Sequence, residues 1–301
     1  MNILIDIGNE NVKLSFHDGK HHLGLLSSTL IKDFPSYTQS GFTNWLSLLY
    51  VDFFEKNTEE YLKKIESGYN YFDKIDGIYI SSVSEELSKV ILDDFNREEI
   101  SSLNIPILFI DKPTDKEVYG LKCAYDDYLK LGADRWISMI AARNLIIHDP
   151  KPFCVIDLGT ALTIDAVDEK GQHLGGLILP GSHIMANSLV NKTSNIDINL
   201  QLIGNKMNDF ESQNNLFGKD LLGNSTEDCI LNGIILSLRS SVTSALSLLK
   251  DKIGHEYMVF VTGGDSSLIL PLDEKGVEVK VFSEPNLVLQ GLAFLSIWHK
   301  K

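Results

Sequence analysis

The sequence predicts an α/β protein built from one unit used twice. Residues 2–16 (NILIDIGNENVKLSF) and 153–165 (FCVIDLGTALTID) follow the same plan: an apolar run, an Asp, one apolar residue, a Gly, a small hydroxyl or amide residue, then a second alternating run. Their aspartates, Asp6 and Asp157, stand half of the 301-residue chain apart. Around them strand-type runs alternate with helix-type runs, which implies sheets that are at least partly parallel. One Asp-x-Gly at a strand end is an ordinary turn, whereas two at half-chain spacing point to a duplication. Both copies also continue alike, with Asp18-Gly19 and Lys170-Gly171 at the next hairpin position and His21 and His173 shortly after.

The repeated unit suits a definite chemistry. Glycine permits the sharp bend after the strand, and the amides of the hairpin then point at an anion. An Asp at this place holds a metal ion or its water shell, and the following Thr or Asn donates to phosphate oxygens. Two copies facing across a cleft would grip one nucleoside triphosphate from both sides.

Composition narrows the function class. The formal charge of −14 argues against a nucleic-acid partner, which would need a concentrated basic surface. Cys123, Cys154 and Cys229 are widely spaced and form no zinc or disulfide pattern, so they read as small apolar residues in a reducing compartment. The start MNILIDIGNENVK has no basic leader, and Asp6 and Glu10 interrupt its apolar stretch. No later segment reaches roughly 18 uninterrupted apolar residues. The expectation is a cytoplasmic protein without a membrane partner. The eight histidines show no metal-binding helix spacing and read as surface or satisfied residues.

In chain order, a strand is expected over 23–31 after the first hairpin, then an apolar helix over 41–54 and a charged helix over 56–67 carrying i,i+4 pairs. A strand over 75–83, an amphipathic helix over 85–95 and a strand over 106–110 follow. Residues 119–127 read as a connecting loop leading to Leu131–Trp136 (LGADRW), where Gly132 breaks the chain and Asp134 is placed to cap a helix over 136–147. The ordinary account of Asp134-Arg135 is a cap beside a surface Arg; their place between the two hairpin units raises a functional one equally. After the second unit, Gly175-Gly176 and Pro180-Gly181 bracket a short strand and let backbone approach closely. Residues 187–215 are polar and read as a loop region. Asn224, Ser225 and Thr226 cap a long helix reaching 249; a strand over 258–262 ends in Gly263-Gly264-Asp265, bare backbone able to admit adenine or ribose; a strand over 279–282 and a helix over 286–299 close the chain.

The ordered set resembles the type III pantothenate kinases. It comprises Asp6-x-Gly8-Asn9, the strand IDGIYISSV, Tyr125-Asp126 before Gly132-Ala133-Asp134-Arg135, Asp157-x-Gly159-Thr160-Ala161-x-Thr163, Gly175-Gly176-x-Ile178-x-Pro180-Gly181, Thr226 with Gly233, Thr262-Gly263-Gly264, and Asn286-Leu287 with Gly291-Leu292. No single motif is decisive, but their order and spacing are specific. The resemblance implies duplicated ribonuclease-H-like domains of the actin-like and sugar-kinase-like superfamily, with a cleft between them. The expected division is 1–130, holding the first phosphate loop, and 131–301, holding the catalytic Asp, the second phosphate loop and the adenosine region.

It implies ATP-dependent phosphorylation of pantothenate to 4'-phosphopantothenate, the first step of coenzyme A biosynthesis. Asp134 would be the base; Tyr125, Gly132, Ala133, Asp134 and Arg135 would hold pantothenate, the planar Arg135 fork suiting its carboxylate. Asp6, Ile7, Gly8, Asn9, Glu10, Asn11, Val12, Lys13 and Thr160 would embrace the ATP phosphates, with Asp6 acting through Mg²⁺ and Gly263 and Gly264 facing the adenosine. Asp157 would help hold a monovalent cation, K⁺ or NH₄⁺. Thr226 would reach the substrate of a neighbouring subunit, which implies a homodimer. The chain departs from the family where the first phosphate loop carries Glu10 in place of Thr or Ser, where Asp127-Tyr128 replaces Asn-Pro, and where the segment over 44–70 is longer. Glu10 favours one alternative, a non-catalytic or weakly active member acting as a regulatory or binding module; retention of Tyr125, Arg135 and Thr226 argues against another, a kinase of another small hydroxy acid.

Overall fold

The computed structural model describes residues 1–9, 11–18, 22–30, 75–95, 105–192, 222–272 and 279–298. The expected helices over 41–54 and 56–67, together with Glu10, Gly19 and His21, lie outside the described residues.

The elements in chain order are β1 (Asn2–Ile7), β2 (Asn11–His17), β3 (His22–Leu30), β4 (Gly77–Ser82), α1 (Glu85–Phe95), β5 (Ile107–Ile110), β6 (Glu117–Val118), β7 (Leu121–Lys122), α2 (Ala133–Leu145), β8 (Phe153–Leu158), β9 (Ala161–Val167), β10 (His173–Pro180), α3 (Ser182–Lys192), α4 (Thr226–Ile253), β11 (Tyr257–Thr262), β12 (Val279–Ser283) and α5 (Leu287–Trp298). They group into two compact units. Unit 1 comprises Met1–Lys116, Asp127–Asn144 and Asn286–Lys301; unit 2 comprises Glu117–Asp126 and Leu145–Pro285. The sequence reading divided the chain between 130 and 131, whereas these units assign α5 and all of α2 but Leu145 to unit 1.

The duplication is present in the topology. Unit 1 carries a sheet ordered β3-β2-β1-β4-β5 and unit 2 one ordered β10-β9-β8-β11-β12, the same winding used twice. In each, the first three strands form an antiparallel meander and the last two run parallel to the first. This is the duplicated ribonuclease-H-like α/β fold that the motifs implied. β1 and β4 are buried along their whole length, which is why they read as continuous apolar runs. The last helix, α5, packs on β1 and β4, and Gly291 lets it approach α2: a Cβ there would lie 2.5 Å from the carbonyl oxygen of Ile137.

In unit 2 one face of the sheet (Cys154, Ile156, Leu158, Leu162, Ile164) packs on the inward row of α4, Leu231, Ile234, Ile235 and Leu238. Strand alternation then turns Asp157, Thr163 and Asp165 to the other face. By length and composition α4 is long and apolar enough to cross a membrane, but this buried row is that of a core helix. It starts as expected, with Ser225 Oγ accepting from the Asp228 N–H at 3.1 Å, and stops at Gly254, φ +86°.

Three expectations are corrected. The 119–127 loop is preceded and entered by a hairpin, β6 with β7, turning through Tyr119 and Gly120 at φ +56° and +72°. The polar run from 187 begins inside a helix, because α3 continues to Lys192 and its polar residues Asn187 and Ser188 are an exposed helical face. Asp134 is not the cap of α2. The Trp136 N–H donates to the Gly132 carbonyl at 3.1 Å, so Gly132 opens the helix and Asp134 lies in its first turn.

Candidate functional site

The second hairpin is held by glycines on both sides. Asp157 ends the polar face of β8, paired in register with Thr163 on β9 and with Thr262 on β11, so its ladder neighbours are two hydroxyls. The turn is closed by the Gly159 N–H donating to the Ala161 carbonyl at 3.0 Å. Gly181 donates its N–H to the Thr160 carbonyl at 3.0 Å, and a Cβ on Gly181 would lie 2.2 Å from the Gly159 carbonyl oxygen. Gly263, at φ +99°, approaches from the other side, where a Cβ would meet the Leu158 carbonyl oxygen at 2.1 Å and Asp157 Oδ1 at 2.6 Å. Only glycine fits at either position.

Gly264 is different, with open space where its Cβ would be. The turn that follows is braced. Asp265 N–H donates to the Leu158 carbonyl at 3.0 Å, Ser182 Oγ donates to the Asp265 carboxylate, and His183 Nε2 lies 4.0 Å from it. Arg239 of α4 donates to the carbonyls of Leu268 at 2.7 Å and Leu270 at 3.0 Å; burial pushes its guanidinium pKa down from the usual value. Sequence reasoning missed Ser182, His183, Asp265 and Arg239 as supports. The adjacency of Asp265 to the two glycines was the available signal.

The first hairpin repeats the backbone with other side chains. Asp6 is 9% exposed and pairs in register with Lys13 on β2 and Ser81 on β4. The Gly8 N–H donates to the Asn11 carbonyl at 2.9 Å. Ile7 and Val12 are buried beneath, while Gly8, Asn11 and Lys13 are partly accessible and Asn9 is exposed. Glu10 lies outside the described residues.

The start of α2 brings Gly132, Ala133, Asp134 and Arg135 together. Asp134 Oδ1 accepts the Arg135 N–H at 2.7 Å, a bond that with the positive helix end stabilises the carboxylate. Gly132 makes room for that carboxylate, since a Cβ there would lie 2.8 Å from Oδ1. Arg135 is only 7% exposed, which corrects its reading as a surface residue. Ala133 is fully buried and anchors the turn.

Of the remaining candidates, Tyr125 lies half-buried in unit 2, and Thr226 is exposed at the first position of α4. Among the described residues no three His, Cys, Asp or Glu side chains cluster into a protein-only metal cage. The donors fit the implied ions in another way. Asp6 offers one carboxylate, the usual protein share for Mg²⁺ bound chiefly by phosphates and water, and Asp157 with the hydroxyls of Thr163 and Thr262 is an all-oxygen set of the kind a hard cation takes.

Comparison with known proteins places the chain in a family. The family profile described as type III pantothenate kinase matches residues 2–247. A type III pantothenate kinase of Pseudomonas fluorescens (strain Pf0-1) is 35% identical over 179 residues, 59% of this chain and 64% of that protein. One from Pseudoalteromonas atlantica is 34% identical over 193 residues, 64% of this chain and 68% of that protein, and one from Dichelobacter nodosus is 29% identical over 234 residues, 78% and 84%. The chain spans about two thirds of the length of the first two relatives. With the profile covering both hairpins, the helix start at Asp134 and the first turns of α4, the chain belongs to the type III pantothenate kinase family.

Proposed function

We propose that this protein transfers the γ-phosphoryl group of ATP to the primary hydroxyl of pantothenate, the entry reaction of coenzyme A biosynthesis. The observation that carries the reading is the start of α2, where a glycine vacates the space that the Asp134 carboxylate fills beside a buried Arg. Asp134 accepts the hydroxyl proton as the substrate oxygen attacks phosphorus, the bond to the bridging oxygen breaks, and ADP leaves with that electron pair. Arg135 and Tyr125 hold the pantothenate carboxylate and chain. Lys13 and the amides of the first hairpin take the phosphates, with Thr160 donating from the second and adenosine lying on Gly264. Mg²⁺ held by Asp6 supplies charge neutralisation for the phosphates when bound, and Asp157 with Thr163 and Thr262 holds K⁺ or NH₄⁺. Catalysis then rests on positioning and electrostatics.

A homodimer belongs to the same proposal. Its support is apolar surface on unit 2: Leu177 and Ile178 are 50% and 63% exposed on the edge strand β10, with Ile184 and Leu189 exposed on α3. Thr226 is exposed at the start of α4, as a residue serving a second subunit must be.

The test is a coupled assay of purified protein with ATP, pantothenate, Mg²⁺ and K⁺, alongside sedimentation to obtain the subunit number. ADP release dependent on pantothenate is the expected result. A folded dimer that binds MgATP yet releases no ADP would favour the regulatory-module reading.

A further inference from the structure

The segment carrying Tyr125 is attached to the second sheet by a series of bonds that ends in a buried side-chain pair. Lys122 N–H donates to the Gly171 carbonyl at 2.9 Å, and Gln172 Nε2 donates to the Lys122 carbonyl at 3.2 Å. The two chains are so close here that a Cβ on Gly171, at φ +86°, would sit 1.9 Å from the Gly120 carbonyl oxygen. At the next step the acceptor is a side chain: the Ala124 N–H donates to His173 Nδ1 at 3.4 Å. An amide N–H cannot accept, so Nδ1 carries no proton, and the ring proton is on Nε2, 3.0 Å from Asp165 Oδ1. His173 and Asp165 are both buried. The His173 ring also faces that of Tyr125, with centroids 6.2 Å apart and planes at 23°.

We propose that His173, held in one tautomer by Asp165, is a positioning residue for the acceptor substrate, setting the backbone at Ala124 and the ring of Tyr125. The role rests on the pantothenate kinase reading, in which Tyr125 binds pantothenate. His173 touches no reacting atom. Among the described residues its ring meets Ala124, Tyr125 and Asp165, which puts its effect on the acceptor side.

The test uses the full-length protein and two variants that split the two ring nitrogens. His173→Gln keeps a donor that reaches Asp165 but withdraws the acceptor near Ala124, while His173→Asn keeps an acceptor at the Nδ1 place. His173→Gln should raise the KM for pantothenate about tenfold, as loss of one hydrogen bond does, with the KM for ATP changed less than about twofold. His173→Asn should return the pantothenate KM to within about threefold of the wild type despite a lower Tm. Equal changes in both KM values, or a lower Tm with an unchanged pantothenate KM, would overturn the positioning role. If His173→Gln does not fold, Asp165→Asn, whose amide oxygen still accepts from Nε2, must show the same acceptor-side bias in smaller degree. Calorimetry with wild-type protein separates the two levels: no pantothenate binding there overturns the kinase reading and this role together, whereas binding that His173→Gln leaves intact overturns only this role.

Discussion

Asp6 and Asp157 occupy equivalent places in two sheets of the same winding, and what stands beside them differs. Asp6 has Lys13 and Ser81 as ladder neighbours, Asp157 has Thr163 and Thr262. An ammonium next to the first hairpin suits phosphate, while hydroxyls around the second carboxylate add oxygen ligands for a cation. The turns differ too. Pairing of Ile7 with Val12 leaves Gly8 to Asn11 between the strands, but pairing of Leu158 with Leu162 leaves only Gly159 to Ala161. The shorter turn is gripped by Gly181 and Gly263. Duplication thus kept the backbone while the residues beside each Asp on the ladder changed.

In the proposed mechanism the base is Asp134, outside both hairpins, so the largest effect should come from there. Asp134→Asn should leave a folded protein with about 10²- to 10⁴-fold lower turnover, the usual cost of losing a general base. Near-normal turnover in single-turnover measurements would hand proton removal to one of the hairpin aspartates and redraw the comparison.

The division of ions is tested next. In sodium-only buffer activity should fall at least about tenfold and recover with potassium, and Asp157→Asn should abolish the recovery while Asp6→Asn should raise the Mg²⁺ requirement instead. Equal responses of the two variants to both ions would mean that the twin sites share one role.

The glycine grip predicts unequal stability effects. Gly181→Ala and Gly263→Ala force a Cβ to about 2 Å from backbone oxygen and should each lower unfolding free energy by about 1–3 kcal/mol in urea titrations. Gly8→Ala, whose Cβ would sit 3.3 Å from the Asn11 carbonyl oxygen, should cost less than about 0.5 kcal/mol. Similar losses at all three positions would show that the first turn is as tightly held as the second.

The smallest effect concerns charge in the first loop. A carboxylate about 4 Å from a phosphate charge costs about 1 kcal/mol in water, so Glu10→Thr should tighten MgATP about fivefold in calorimetric titration. The gain should shrink with salt, over a Debye length of about 10 Å at 0.1 M. Weaker binding in the variant would assign Glu10 to the metal.

Much of this was legible in the sequence because it is local. Asp-x-Gly at a strand end, strand alternation over 161–167 and the Ser225 cap before an apolar helix each declare their backbone within a few residues, and two like motifs half a chain apart declare the duplication. The alternation even contained an unread signal: Asp157, Thr163 and Asp165 are of one parity across the hairpin and share a sheet face.

What only the tertiary structure decided is who meets whom over long separations. An apolar stripe such as that of α5 says that it will be buried but not that β1 and β4, at the far end of the chain, will bury it. His173 looks like any histidine until the register of β10 on β9 and the close passage of Gly120 over Gly171 set it between Asp165 and Ala124. Sequence encodes backbone angles and periodicity residue by residue, whereas partner choice follows from packing and strand register, which are properties of the whole chain.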